Sequence, residues 1–255
     1  MLIVISPSKT IDFDKPIRDL LYSQPGFVKE ASELIKPLRK LSVDQLIDLM
    51  DISHKLAQLN QERFYLWRPE FSLENSRQAM FAFRGDVYTG LDADTLLPSE
   101  IEIAQNRLRI LSGLYGVLRP LDLIRPYRLE MGIALTDGKY RNLYEFWQKK
   151  ITAKIKEGLE ASGSNMLINL ASVEYFKAID TKKLKAEIVT PEFREEKNGS
   201  YIMVSFFAKK ARGMMTRFII QNDIRYEEQL QAFDSDGYCF NNRLSQQGRP
   251  VFTRG

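Results

Sequence analysis

Leu2-Ile3-Val4-Ile5, ended by Ser6-Pro7-Ser8, is the stretch that decides the fold class. A short run with no polar position predicts a strand buried on both faces, as in a sheet covered by helices. Working outward, Pro25-Gly26 precedes a helical segment from Phe27 to Leu38. Ser42 is an N-cap for Val43 to Met50, with Gln45 three residues on in the pattern of a capping box. Ser53 caps a further helix through Leu66, with Leu56, Leu59 and Phe64 near one face. Strand signals return at Ala79-Met80-Phe81-Ala82-Phe83, and the chain turns through Arg84-Gly85-Asp86 into Val87-Tyr88. Ser99 to Arg107 reads as helix. The clearest helix starts at Asn142, with Glu145 at N3 and Leu143, Phe146, Trp147, Ile151, Ile155 and Leu159 at helical spacing. Gly163 ends it, and Met166 to Leu170 is a strand. Glu187 to Phe193 and Tyr201 to Phe207 flank an Asn198-Gly199 hairpin signal. Lys209 to Asn222 is then a helix, and Tyr238-Cys239-Phe240 and Pro250-Val251-Phe252 are short strands. Interleaved helices and strands predict a mixed α/β (α+β) fold. The expectation is one domain over residues 1–255, with a mixed sheet flanked by helices and without the regular alternation of a doubly wound fold.

Composition narrows the chemistry. The 255 residues are 44% hydrophobic and 27% charged, as in ordinary globular proteins, which excludes a disordered tail, a collagen-like fibre and a disulfide scaffold. No apolar run approaches the roughly 18 residues of a membrane helix. Met1 to Ile5 is too short for the apolar region of a signal peptide, so the expected location is the cytoplasm. With one Cys, Cys239, no intramolecular disulfide forms, and with one His, His54, no thiolate/imidazole zinc site or two-histidine iron site is available. His54 reads as structural and Cys239 as a buried, inert thiol. Neither a Walker loop nor a dinucleotide glycine motif occurs. No metal site and no cofactor are expected.

The net charge is +4, from 37 Lys and Arg against 33 Asp and Glu. Its distribution is uneven. The segment 107–128 carries Arg107, Arg109, Arg119, Arg125 and Arg128 against Asp122 alone, an excess equal to that of the whole protein. Arginine forks suit phosphate oxygens, and Gly113 and Gly116 allow close backbone approach. A second basic cluster, Lys209, Lys210 and Arg212, falls at the predicted helix start, where the dipole disfavours cations unless an anion binds there. The third candidate is Ser6-Pro7-Ser8-Lys9-Thr10, beyond the first strand, where α/β sheets often bind ligands. The fourth is the polar set Asp86, Tyr88, Glu130, Asn169, Glu174 and Tyr175, each at or past a predicted strand end or turn and suited to acid–base work if they converge. Caps and buried hydrogen-bond partners are the commoner role of such residues.

These segments carry a family resemblance. Residues 1–10, Phe83 to Gly90, Leu111 to Gly132, Ile168 to Ser172 with Glu174 to Lys177, and Phe207 to Gly213 are similar, in order and over nearly the whole chain, to the YaaA peroxide-stress resistance proteins of bacteria. The resemblance implies a cytoplasmic protein that protects against hydrogen peroxide and limits iron-dependent oxidative damage to DNA. It further implies DNA binding through a basic cleft and a helix-hairpin-helix-like element in a single-domain α/β fold. The best local match to that element is Ile110 to Val117, although Gly113 and Gly116 are separated by two residues rather than the usual one.

Two functions follow as expectations. The first is a DNA-binding protein of the oxidative stress response, contacting phosphates of double-stranded DNA without strong sequence preference. Lys9, Arg84, Arg107, Arg109, Arg119, Arg125, Arg128, Lys209, Lys210 and Arg212 would make the contacts. The second is an enzyme acting on a nucleotide, nucleobase or phosphorylated small molecule in the same cleft. An open groove favours the first and a closed pocket the second.

Overall fold

The computed structural model describes residues 1–14, 21–135 and 139–255. Its main sheet has five strands: β1 (Leu2–Ile5), β2 (Leu108–Ser112), β3 (Gly116–Leu118), β4 (Met166–Leu170) and β5 (Glu187–Val189). Their spatial order is β3-β2-β1-β4-β5, all parallel except the edge strand β3. The run read as doubly buried is the central strand. Every residue of β1 is fully buried, and Val4 sits in register with Arg109 on one side and Asn169 on the other.

The order matters for function. The chain leaves β1 for β2 on one side, and β4 then adds on the other side before leading outward to β5. Where connections diverge from neighbouring parallel strands, a crevice opens at their carboxyl ends. Here that point lies between β1 and β4.

Helices α1 (Val28–Leu38), α2 (Val43–Met50) and α3 (His54–Leu66) follow the expected bounds, and Ser42 and Gln45 form the reciprocal capping box. In α3 the buried face is Ala57, Asn60 and Phe64, whereas Leu56 and Leu59 are exposed. The remaining long helices are preceded by a short one: α4 (Asp86–Leu91), α5 (Pro98–Arg107), α6 (Leu143–Ala161) and α7 (Ser205–Gln221). Asn142 caps α6 by accepting from Glu145 N at 3.0 Å, while the Glu145 carboxylate turns back to Arg141. Gly158 of α6 comes close to Leu2, holding this helix against β1.

A second, four-stranded sheet is built from β6 (Glu192–Lys197), β7 (Ser200–Ile202), β8 (Cys239–Phe240) and β9 (Val251–Arg254). Asn198 and Gly199 join β6 to β7 in a two-residue turn, both at positive φ (53° and 77°), the geometry a tight hairpin demands. Phe193 and Phe252 stack in its core at 5.7 Å. The buried apolar residues of both sheets form one continuous cluster. No helix among the described residues is long and apolar enough to cross a membrane.

Several local expectations change. Ala79 to Ala82 is a helical turn, with only Phe83–Arg84 extended after it; a short apolar run fits either state. Glu187 to Phe193 divides at Thr190-Pro191 into strands of different sheets. Cys239 is exposed rather than buried, because β8 alternates and Tyr238 turns inward. Ile110 to Val117 is strand, turn and strand, so a helix-hairpin-helix does not form there. Gly113 serves a different purpose: a Cβ at that position would lie 2.2 Å from Leu129 O.

Candidate functional site

A crevice of about 480 Å³ opens at the carboxyl ends of β1 and β4. It is lined by Ser6 to Thr10 after β1, by Leu170, Ser172, Glu174 and Tyr175 after β4, by Gly85 to Tyr88 at the start of α4, and by Lys209 and Arg212 of α7. Its size falls within the range of small-molecule sites.

Short-range bonds hold its floor. Ser6 Oγ accepts from Ser172 N at 2.9 Å and donates to Ser172 Oγ at 3.3 Å, tying the two strand ends together. Tyr88 OH donates to Ser6 O at 3.0 Å. A two-residue antiparallel pairing of Thr10–Ile11 with Phe83–Arg84 brings the Ser8-Lys9-Thr10 loop beside Gly85. Gly85 has φ +114°, and a Cβ there would lie 2.9 Å from Ser8 Oγ, so glycine is required. Glu174 Oε1 accepts from Gly132 N at 3.0 Å. Burial, reinforced by Tyr127 and Tyr175, pushes the Tyr88 phenol well above its ordinary pKa; burial with Tyr127 and Glu174 does the same for Tyr175. Both are neutral phenols near pH 7 and act as hydrogen-bonding groups, not as bases.

The cations are arranged asymmetrically. Lys209 and Arg212 stand three residues apart on α7, hence on one side of it. Among the described residues neither pairs with a carboxylate, and the Arg212 guanidinium makes no hydrogen bond. Arg212 is partly buried, and burial alone lowers its pKa, with no acidic neighbour to offset it. Lys9 Nζ meets Glu130 Oε1 at 3.2 Å, and Arg128 meets the same oxygen at 3.0 Å. Glu130 is only 8% exposed, and its other oxygen is buried without a partner. Asp86, the first residue of α4, lines the crevice and also makes no ion pair among the described residues.

A family model described as peroxide stress protein YaaA matches residues 1–244. The chain belongs to this family. It is 55% identical to a UPF0246 protein of Aliivibrio fischeri (strain MJ11), across all of this chain and 98% of the relative. UPF0246 proteins of Shewanella amazonensis and Shewanella baltica (strain OS195) are 54% and 53% identical, across all of this chain and 99% of each relative. Membership of the YaaA family assigns the protein to the peroxide stress response.

In this YaaA-family chain the crevice gathers Lys9, Asp86, Tyr88, Glu174, Tyr175, Lys209 and Arg212, with Arg128 and Glu130 adjoining. The other candidate residues lie elsewhere. Arg107 is buried, pairs with Asp223 at 2.7 Å and donates to the carbonyls of Met1 and Ile224. Arg109 donates to the Gln105 and Leu108 carbonyls; burial, aided by Arg119, pushes its pKa down to about 10. Arg119 is bound to Asp122, Arg125 to the Glu70 carbonyl, and Arg84 to Asp12. The arginine-rich segment is therefore mostly internal scaffolding, with only Arg128 near the crevice. Asn169 braces the end of β4 through Ala171 N. Lys210 pairs with Asp236 and lines a different cavity.

The second basic cluster does not stand at a helix start. Helix α7 begins at Ser205, not Lys209, so Lys209, Lys210 and Arg212 lie beyond its first turn. Sequence reasoning also left three structural parts of the site unassigned: Ser172, which ties β4 to β1, and Gly90 and Gly213, which set the distance between α4 and α7. Gly213 carries a signal, being a glycine inside a helical pattern without a terminus to cap.

Arg107→Ala is expected to destabilise the protein by roughly 2 kcal/mol, because it leaves buried carbonyls of Met1 and Ile224 unpaired. Urea unfolding measures the loss.

Proposed function

We propose that this peroxide-stress protein acts by binding a phosphate-bearing ligand in the crevice between the ends of β1 and β4. The observation that carries the reading is Arg212. A partly desolvated guanidinium without a counter-charge costs stability, and an anion in the crevice offsets that cost. Lys209 on the same side of α7 adds charge, and the loop from Ser8 to Thr10 adds donors.

DNA offers the same phosphates, and one observation favours nucleic acid as a second reading. Tyr201, Ile202, Met203, Phe206 and Phe207 are exposed just before Lys209 in sequence, and aromatic side chains beside cations suit bases stacked along a strand. Contacts of this kind carry little sequence preference. In this reading a DNA-bound protein shields the duplex from iron-dependent oxidation.

Binding of inorganic pyrophosphate and of DNA to the wild-type protein and to the double variant Lys209→Ala/Arg212→Ala tests both readings. Loss of pyrophosphate binding is expected for the double variant. If DNA uses the site, the slope of log affinity against log salt falls by about 2. Lys210→Ala is expected to leave both ligands unaffected. Pyrophosphate affinity that survives the double substitution overturns the crevice as a phosphate site. For DNA, an unchanged salt slope removes the second reading.

A further inference from the structure

The crevice holds more than cations. Asp86 and Glu174 share its lining with Lys209 and Arg212, yet neither carboxylate lies within ion-pair distance of either cation. Separate elements hold the charges apart: Asp86 begins α4, Glu174 follows β4, and the cations belong to α7. Among the described residues Asp86 has no partner of its own, and Glu174 uses one oxygen on Gly132 N. A plain phosphate would satisfy the cations and be repelled by the carboxylates, as would a run of backbone phosphates laid through the crevice. The complementary ligand carries an anion at one place and N–H donors at another. Val87, Leu170 and the rings of Tyr88 and Tyr175 supply apolar wall among these groups.

We infer that the crevice binds a nucleotide whose base bears an exocyclic amino group, with the phosphate at Arg212 and Lys209 and the amino edge of the base at Asp86 and Glu174. The inference rests on the phosphate-site reading above and adds the identity of the remainder of the ligand. Carboxylates accept from amino groups of bases but find only carbonyl oxygens and one ring N–H on uracil or thymine. A site built to pair with a donor discriminates strongly against an analogue that lacks it, because its own polar group is left unpaired.

Calorimetric titration of the whole protein with inorganic phosphate, AMP, CMP, GMP, UMP and glucosamine 6-phosphate tests this. At least one of AMP, CMP or GMP is expected to bind about tenfold or more tighter than UMP and than inorganic phosphate. Asp86→Asn, whose amide both donates and accepts, narrows the gap to UMP and, by removing a repelling charge, tightens the binding of inorganic phosphate. Equal affinity for all four nucleotides overturns base recognition yet leaves the phosphate site standing. Tightest binding of glucosamine 6-phosphate overturns the assignment in favour of a cationic amine. If no phosphate compound binds, the phosphate-site reading itself has failed. Short single-stranded oligonucleotides of adenine and of thymine separate free from strand-borne nucleotides. The same amino preference in these strands, at higher affinity than AMP, identifies a strand as the source; weaker binding than AMP identifies the free nucleotide.

Discussion

Replacing Gly213 by alanine is expected to destabilise the protein by about 3 kcal/mol or more, although helix propensity alone predicts a gain of about 1 kcal/mol. The reversal of sign comes from the contact between α4 and α7. A Cβ on Gly213 would lie 1.8 Å from Val87 O and 2.7 Å from Leu91 N. Reciprocally, a Cβ on Gly90 would lie 2.1 Å from Lys210 O. These neighbours are backbone atoms, which cannot rotate away, so the two helices must separate. Separation moves Asp86 and Val87 away from Lys209 and Arg212, and the crevice loses its shape together with the packing. Thermal unfolding is expected to shift down on the order of 10 °C for a chain of this size. Gly163→Ala is the control: its φ is +61° and no atom lies within 4 Å of the added carbon, so only the backbone cost of roughly 1 kcal/mol remains. A Gly213→Ala protein as stable as the wild type would falsify the close helix contact.

Arg212→Met is expected to weaken binding of pyrophosphate or a nucleotide about a hundredfold without lowering stability. Both halves follow from the same fact. In the free protein Arg212 is partly desolvated with no acidic partner among the described residues, so its charge opposes folding. A methionine of similar length keeps the packing and removes that cost, leaving the unfolding temperature equal or higher. With an anion bound, the guanidinium fork makes charge-assisted bonds that methionine cannot replace. Arg212→Lys keeps the charge but loses the planar fork, and its affinity is expected to fall between the two. Calorimetric binding and thermal unfolding on the same samples check the pair of outcomes. A less stable Arg212→Met protein with intact binding would reverse the assignment, making Arg212 a structural residue.

The contrast between Arg212 and Arg107 shows how much of the site was legible in the sequence. Both are arginines in basic stretches, and nothing within a few residues of either reveals its partner. Arg107 finds Asp223 and the Ile224 carbonyl more than a hundred residues away, whereas Arg212 finds no counter-charge among the described residues. Local charge patterning counted five arginines between 107 and 128 as an anion-binding stretch because the groups that engage them are distant carboxylates and main-chain carbonyls. The cations of α7 are visible in the sequence, but their place in the helix is not: it starts at Ser205, where no side-chain cap marks the boundary. The Ser6 to Thr10 loop was read correctly as lying beyond a buried strand, and Asp86, Tyr88, Glu174 and Tyr175 do meet it in one crevice.

By itself the sequence determined the periodicities and the local chemistry. These include the doubly buried strand Leu2–Ile5, the Ser42 and Asn142 caps, the Asn198-Gly199 hairpin and the scarcity of Cys and His. Each of these depends on neighbours a few residues apart, or on composition. Tertiary structure alone decided that β4 lies beside β1, so that a crevice opens between their ends, and that two glycines let α4 and α7 touch. It also decided which cations are engaged inside the fold and which line the crevice. Those outcomes depend on desolvation and pairing between residues far apart in the chain, and no local pattern encodes whether a charge will find its partner.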